Sequence, residues 1–178
     1  TDPEMLRGIE GSGAKIYFDV FDRLILQRKE VFSFENRNRR PPTDPVNAML
    51  SFGYSLLAND CASALESVGL DSYVGFLHRD RPGRNSLALD LMEELRPCLA
   101  DRFVLTLLNN RILSPEDFEH TDSGAVLLTD GARKKFLQNW QERKRDSHKH
   151  RRGKGTQGKS IILSSYSGYL FFTVSYCS

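Results

Sequence analysis

The chain has 178 residues, enough to bury a real core, and its 39% hydrophobic and 27% charged content excludes a disordered polyelectrolyte. No apolar run reaches the roughly 18 residues that a membrane-spanning helix needs. The net charge of +2 conceals an asymmetry: residues 133–159 hold eleven Lys or Arg against Glu142 and Asp146, which leaves the remainder at −7. An acidic body with a basic strip does not by itself announce a nucleic-acid partner.

Asp2-Pro3 has the signature of a helix start, and Leu6, Ile9, Ile16, Tyr17, Val20, Leu24 and Ile25 keep helical spacing to about Lys29. Gly8, Gly11 and Gly13 each cost such a helix roughly 1 kcal/mol against alanine, which suggests close packing or ligand approach there. A polar loop ends at Pro41-Pro42, and Asp44-Pro45 opens a second helix that Gly69 stops. That helix is apolar on several faces, so it is expected to be central and buried. A turn-rich connection over 71–85 carries His78. Ser86 is positioned to cap a third helix, Leu87 to Leu95, and Pro97 either kinks it or starts another that reaches Asn109. Ser114-Pro115-Glu116-Asp117 predicts a short helical turn and Ala125 to Leu128 a β-like run. Thr129 or Asp130 caps a last helix to about Lys144, with Trp140 in its core-facing stripe beside Phe136 and Leu137. The fold class expected is all-α, with at most one short β element.

Cys61, Cys98 and Cys177 form no CxxC pair, so neither a disulfide framework nor a zinc site is expected, and Cys61 and Cys98 read as buried free thiols. With Asp2, Glu4 and Glu10 around its first apolar residues, the start of the chain does not read as a secretory leader, and the cytoplasm is the expected compartment.

Four residues suit a divalent metal acting on phosphodiesters. Glu10 sits in Leu6-Arg7-Gly8-Ile9-Glu10-Gly11, His78 ends Val74-Gly75-Phe76-Leu77-His78, and Asp90 and Glu93 lie within Leu87 to Pro97. Asp90 and Glu93 are three apart, so a helix puts both on one side. Carboxylates with one imidazole suit Mg²⁺ or Mn²⁺. Taken singly, the acids read more readily as solvated helix charges and His78 as a satisfied loop histidine.

Read together, these stretches and Arg40-Pro41-Pro42-Thr43-Asp44-Pro45-Val46-Asn47 resemble the catalytic helical domain of the CRISPR spacer-acquisition integrase, the CRISPR-associated protein conventionally numbered one. The resemblance runs from about Asp2 to Asp146, and Gly75 to Arg84 looks like the subtype I-C branch. It implies an endonuclease and integrase of CRISPR adaptation that joins a 3′-hydroxyl of a captured DNA fragment to the CRISPR repeat by transesterification. The ligands it implies are Glu10, His78 and Glu93, with Asp90 supporting and Mg²⁺ or Mn²⁺ as cofactor. Many members have aspartate at the position of Glu93. DNA contacts fall to Arg79, Arg81, Arg84, Arg39 and Arg40, with Arg37 in the same basic patch. The implied partners are DNA (prespacer and repeat), CRISPR-associated protein number two, a number-four-type nuclease and a second copy in the full-length protein. The family's N-terminal β domain is expected to be absent here. A helical DNA-binding module with structural acids is the alternative.

Residues 147–178 leave that pattern, so the chain divides into a catalytic unit over 1–146 and an atypical tail. The tail is basic and then β-prone, and reads as frameshifted or disordered, with no reason to pack on the helices. Gly153 to Ser160 satisfies the P-loop expression GxxxxGK[ST], but a highly charged run precedes it instead of a buried strand, so nucleotide binding is not expected.

Overall fold

A computed structural model describes residues 3–78, 81–149, 162–166 and 169–173. Five helices carry the body: α1 (Pro3–Asp19), α2 (Pro45–Ser67), α3 (Ser86–Leu95), α4 (Arg102–Asn109) and α5 (Asp130–Lys149). The pair β1 (Phe118–His120) and β2 (Val126–Leu128) is an antiparallel hairpin in which Glu119 faces Leu127.

Helix α2 is the centre. Asp44 accepts from the Asn47 N–H at 2.8 Å as its N-cap, Pro45 follows, and Gly69 closes the far end at φ +80°. Met49, Leu50 and Leu57 are fully buried, and α3, α4 and β2 pack around them. Phe136 on α5 meets Phe52 and Phe103 edge-on, and Trp140 stacks edge-on against Phe103. The Trp140 Nε1–H donates to Asp60 at 2.9 Å, and Lys144 reaches the same carboxylate at 3.0 Å, so α5 is fastened to α2 by one acid.

Pro97 has no N–H to return to the preceding turn. The chain widens there into a π-helical turn, Arg96–Asp101, before α4 begins. Asn85, not Ser86, is the residue before α3, and Ser86 is already inside the helix. Thr129 caps α5, its hydroxyl accepting from the Ala132 N–H at 3.2 Å.

Several expectations need correction. Helix α1 ends at Asp19, a 3₁₀ turn (Phe21–Leu24) follows, and Arg28 takes φ 50° where a longer helix is predicted. The cause is packing: Phe21 and Ile25 turn inward and are wholly buried, which a straight helix on the surface does not allow. Gly8, Gly11 and Gly13 have nothing within 4 Å of where a Cβ would stand, so no close neighbour among the described residues explains them. Cys98 is exposed, whereas Cys61 is buried, which pushes its thiol up to about 12.

The fold also holds more β structure than one short element. A lone strand over 126–128 would leave its backbone unpaired, and Phe118–His120 supplies the partner. A second antiparallel hairpin joins β3 (Ile162–Tyr166) to β4 (Tyr169–Thr173). β3 runs along α5 and β4 along α2, where no packing of the tail is expected from sequence. The expectation of disorder over 147–159, and the P-loop-like run at 153–160, lie outside the described residues beyond Lys149.

Asp117 ties the hairpin's approach to α5. It accepts from the Lys135 ammonium at 2.8 Å and from the Ser114 N–H at 2.9 Å. Burial raises its pKa, but these partners outweigh burial and hold it below the usual carboxylate range. A depressed carboxyl stabilises the fold above its unfolded pKa of about 4, and that contribution disappears as pH falls through the folded value. Wild type is therefore expected to exceed Asp117→Asn in urea midpoint at pH 6. That gap should shrink below about pH 4, as read by paired denaturation curves.

Candidate active site

The connection after α2 is pinned before it reaches His78. The Ser72 carbonyl accepts from the N–H groups of Leu87 at 3.0 Å and Ala88 at 3.3 Å, which seats the connection on the start of α3. Gly75 then passes so close to α3 that an added Cβ would lie 2.6 Å from Ser86 Cβ. Only glycine fits there.

Asp90, one turn into α3, receives the next three residues. Its Oδ2 accepts from the N–H of Phe76 at 2.6 Å and of Leu77 at 3.0 Å. Its Oδ1 accepts from the His78 N–H at 3.0 Å and lies 2.6 Å from His78 Nδ1. Burial raises the Asp90 pKa, but these four partners outweigh it and keep the carboxyl below the usual range.

From the other side comes α1. Arg7 donates to the Leu77 carbonyl through Nε at 3.1 Å and Nη2 at 2.9 Å, and holds Glu4 at 2.5 Å. Glu10, one turn further along, faces the same space. Glu4, Arg7, Glu10, Leu77, His78, Arg81 and Arg84 line one open cleft of about 410 Å³.

Glu93 stands one turn beyond Asp90 on α3, half-buried, with its Oε1 bonded to Arg96. Its pKa is raised: burial is the largest cause, Arg96 opposes it, the negative charge of Glu10 adds to it, and His78 and Arg39 oppose it. Glu10, His78 and Glu93 therefore share one electrostatic field although they come from three separate parts of the chain. They do not yet share one point, because Glu93 is turned to Arg96. Among the described residues no three His, Cys, Asp or Glu side chains close into a ready ion cage.

The arginines divide. Arg81 and Arg84 face the cleft, Arg39 and Arg40 are exposed, and Arg79 lies outside the described residues. Arg37 does not join the surface patch. It is committed inward, to Asn47 Oδ1 at 2.7 Å, to Ser51 Oγ at 3.0 Å, and over the Tyr54 ring at 5.2 Å.

Sequence reasoning missed Arg7, Arg96 and Asp101. Arg7 is three before Glu10 and Arg96 three after Glu93, so helical spacing alone could have found both. Asp101 had no such signal. It is buried and accepts from Tyr54 Oη at 2.6 Å and Tyr17 Oη at 3.0 Å, and burial dominates an upward shift of its pKa. Arg96 lies over the same Tyr54 ring at 4.6 Å.

Comparison with known proteins places the chain in a family. The family model for "CRISPR associated protein Cas1" matches residues 1–142. The chain is 61% identical over 149 residues to the CRISPR-associated endonuclease Cas1 2 of Rhodospirillum rubrum, covering 84% of this chain and 43% of that protein. A Cas4/Cas1 fusion of Geobacter sulfurreducens is 47% identical over 143 residues, covering 79% of this chain and 25% of the fusion. A solved Cas1 structure from Thermotoga maritima superposes with a TM-score of 0.76 at 33% identity, covering 83% of this chain and 46% of that one. A casposase bound to integration product gives 0.73 at 31% identity (96% and 44% covered), and a partial Cas6-RT-Cas1–Cas2 complex 0.74 at 30% (83% and 44%). The chain belongs to the Cas1 family. It spans about half the length of the curated relatives that it matches.

Because Arg7 holds Leu77 through its carbonyl, Arg7→Met is expected to speed hydrogen exchange at the amides of residues 76–78 several-fold. The urea midpoint should hardly move, since surface changes away from the core usually stay within about 0.5 kcal/mol. Residue-resolved exchange checks both.

Proposed function

We propose that this chain is the catalytic domain of a metal-dependent DNA integrase and endonuclease of CRISPR adaptation, of the I-C-like branch. The observation that carries the reading is the meeting of Glu10 and His78 in one cleft bordered by Arg81 and Arg84, with Glu93 under the negative charge of Glu10.

The donor set fits Mg²⁺ or Mn²⁺. Glu10 and Glu93 repel each other, and Glu93 is bonded to the Arg96 guanidinium. A divalent cation held by Glu10, His78 and Glu93 would neutralise both acids and would supply Lewis-acid stabilisation of charge developing on phosphate oxygens. Arg81 and Arg84 hold the phosphodiester by charge-assisted hydrogen bonds, while Arg39 and Arg40 extend the basic border along the duplex. The reaction balances without ATP. A 3′-hydroxyl of the captured fragment attacks phosphorus, its O–P bond forms as the repeat strand's O3′–P bond breaks, and the displaced 3′-hydroxyl takes up a proton. Water in the place of the fragment gives endonuclease cleavage. Number-two and number-four CRISPR-associated proteins are the proposed partners, by resemblance to the complex and fusion above. DNA and, in the full-length protein, a second copy complete the assembly.

Glu10→Ala in the full-length protein is expected to abolish strand transfer into a supercoiled plasmid bearing a CRISPR repeat, with and without Mn²⁺. The melting temperature should be unchanged, because Glu10 is exposed and buries nothing. Transfer at the wild-type rate would favour the non-enzymatic DNA-binding module instead.

DNA affinity is expected to fall by orders of magnitude between roughly 50 and 200 mM salt. Arg84→Ala should lower it for all sequences alike and flatten the salt slope by about 1. Fluorescence anisotropy over a salt series reads both, and affinity indifferent to salt removes the cleft as a DNA surface.

A further inference from the structure

The resemblance implies Asp90 as a supporting metal ligand, yet its oxygens are already engaged. An ionised carboxylate has about four lone-pair positions. At Asp90 the N–H groups of Phe76, Leu77 and His78 take three, at 2.6, 3.0 and 3.0 Å, and His78 Nδ1 at 2.6 Å takes the fourth. A cation would have to displace one of these. Backbone amides can only donate, so the orientation of the carboxylate is fixed before the imidazole is considered.

We propose that Asp90 is a positioning residue and not a ligand: it holds His78 as the Nδ1–H tautomer, so that Nε2 carries the lone pair. Oδ1 can only accept, which requires the proton on Nδ1. Free neutral imidazole side chains in water prefer the opposite form, with the proton on Nε2, so Asp90 reverses the intrinsic preference. The glycine at 75 belongs to the same device. With a Cβ 2.9 Å from the Ser86 carbonyl carbon and 3.1 Å from Asp90 Oδ2, any side chain there would push the connection off the carboxylate. Three amides and one ring are thereby set by a single acid, and the ring has neither tautomeric nor rotational freedom.

The inference rests on the proposed function only for what Nε2 does, not for the tautomer itself. The experiment separates the two. With the full chain labelled with ¹⁵N-histidine, metal-free at pH 8, the signals of His78 are assigned among the four histidines by the loss seen in His78→Gln. The expected result is a pyrrole-type Nδ1 and a pyridine-type Nε2. Asp90→Ala should restore the Nε2–H form and speed exchange of the 76–78 amides at least ten-fold. Asp90→Asn cannot satisfy both sides of the site, because its –NH₂ must face either donating amides or Nδ1–H. It should therefore lose the wild-type tautomer or the amide protection. A wild-type His78 whose neutral ring carries its proton on Nε2 overturns the proposal, and this needs no variant to fold. So does an Asp90→Ala protein that keeps the Nδ1–H form. Mn²⁺ is then added. Selective broadening of His78 in wild type, weakened roughly 10–100-fold in apparent affinity by Asp90→Ala, is expected of an outer partner to a metal-bound histidine. The predicted tautomer with no Mn²⁺ effect removes His78 as a ligand and leaves the positioning role standing.

Discussion

Helix α1 brings Glu10 to the cleft, yet most of its length lies on the surface, with Met5, Ile9 and Ile16 all exposed. What anchors it is at its other end. The buried carboxylate of Asp101 accepts from Tyr17 on α1 and from Tyr54 on α2, and Tyr17, Phe18, Phe21 and Phe34 form an aromatic wedge beside it. A carboxylate at 1% exposure is costly unless hydrogen-bonded, and the two phenols meet that requirement. Removing either would leave an unsatisfied acid at the root of the helix. The position of Glu10 relative to His78 thus depends on a bond made roughly two helical turns away.

A chain of contacts runs from that acid to the cleft. Tyr54 lies under Arg96, Arg96 bonds Glu93, and Glu93 feels the charge of Glu10. The π-helical turn at Arg96–Asp101 makes this possible, since it carries Arg96 at its start and Asp101 at its end. A proline that interrupts the regular ladder is what opens the turn. Here a break in secondary structure places two charged residues around one tyrosine.

The helices and the candidate ligands were legible in sequence because each has a local signature. Asp44-Pro45 with Gly69 delimits α2, and the three-residue spacing of Asp90 and Glu93 survives in α3. The end of α1 was not legible, because the inward turn of Phe21 and Ile25 is decided by what lies beneath them. The pairing of Phe118–His120 with β2, and the seating of the 162–173 hairpin along α5 and α2, are likewise non-local. The division of the arginines was hidden for the same reason: nothing in Arg37-Asn38-Arg39-Arg40 says that the first guanidinium enters the interior. Glu93 was found as a residue but not in its orientation, since its partner Arg96 is held by a ring from another helix.

The way Asp90 grips the 76–78 connection also has a mechanical meaning. His78 is tied to Asp90, and Glu93 is three residues along the same helix, about 4.5 Å further up its axis. With Gly75 lying flush against Ser86, connection and helix form a single stiff jaw bearing two of the three candidate ligands. Glu10 sits on the opposing jaw, whose hinge is the tyrosine pair and whose near contact is Arg7 on the Leu77 carbonyl. Small displacements of α1 therefore change the gape between Glu10 and the other two while leaving His78 and Glu93 in fixed mutual alignment.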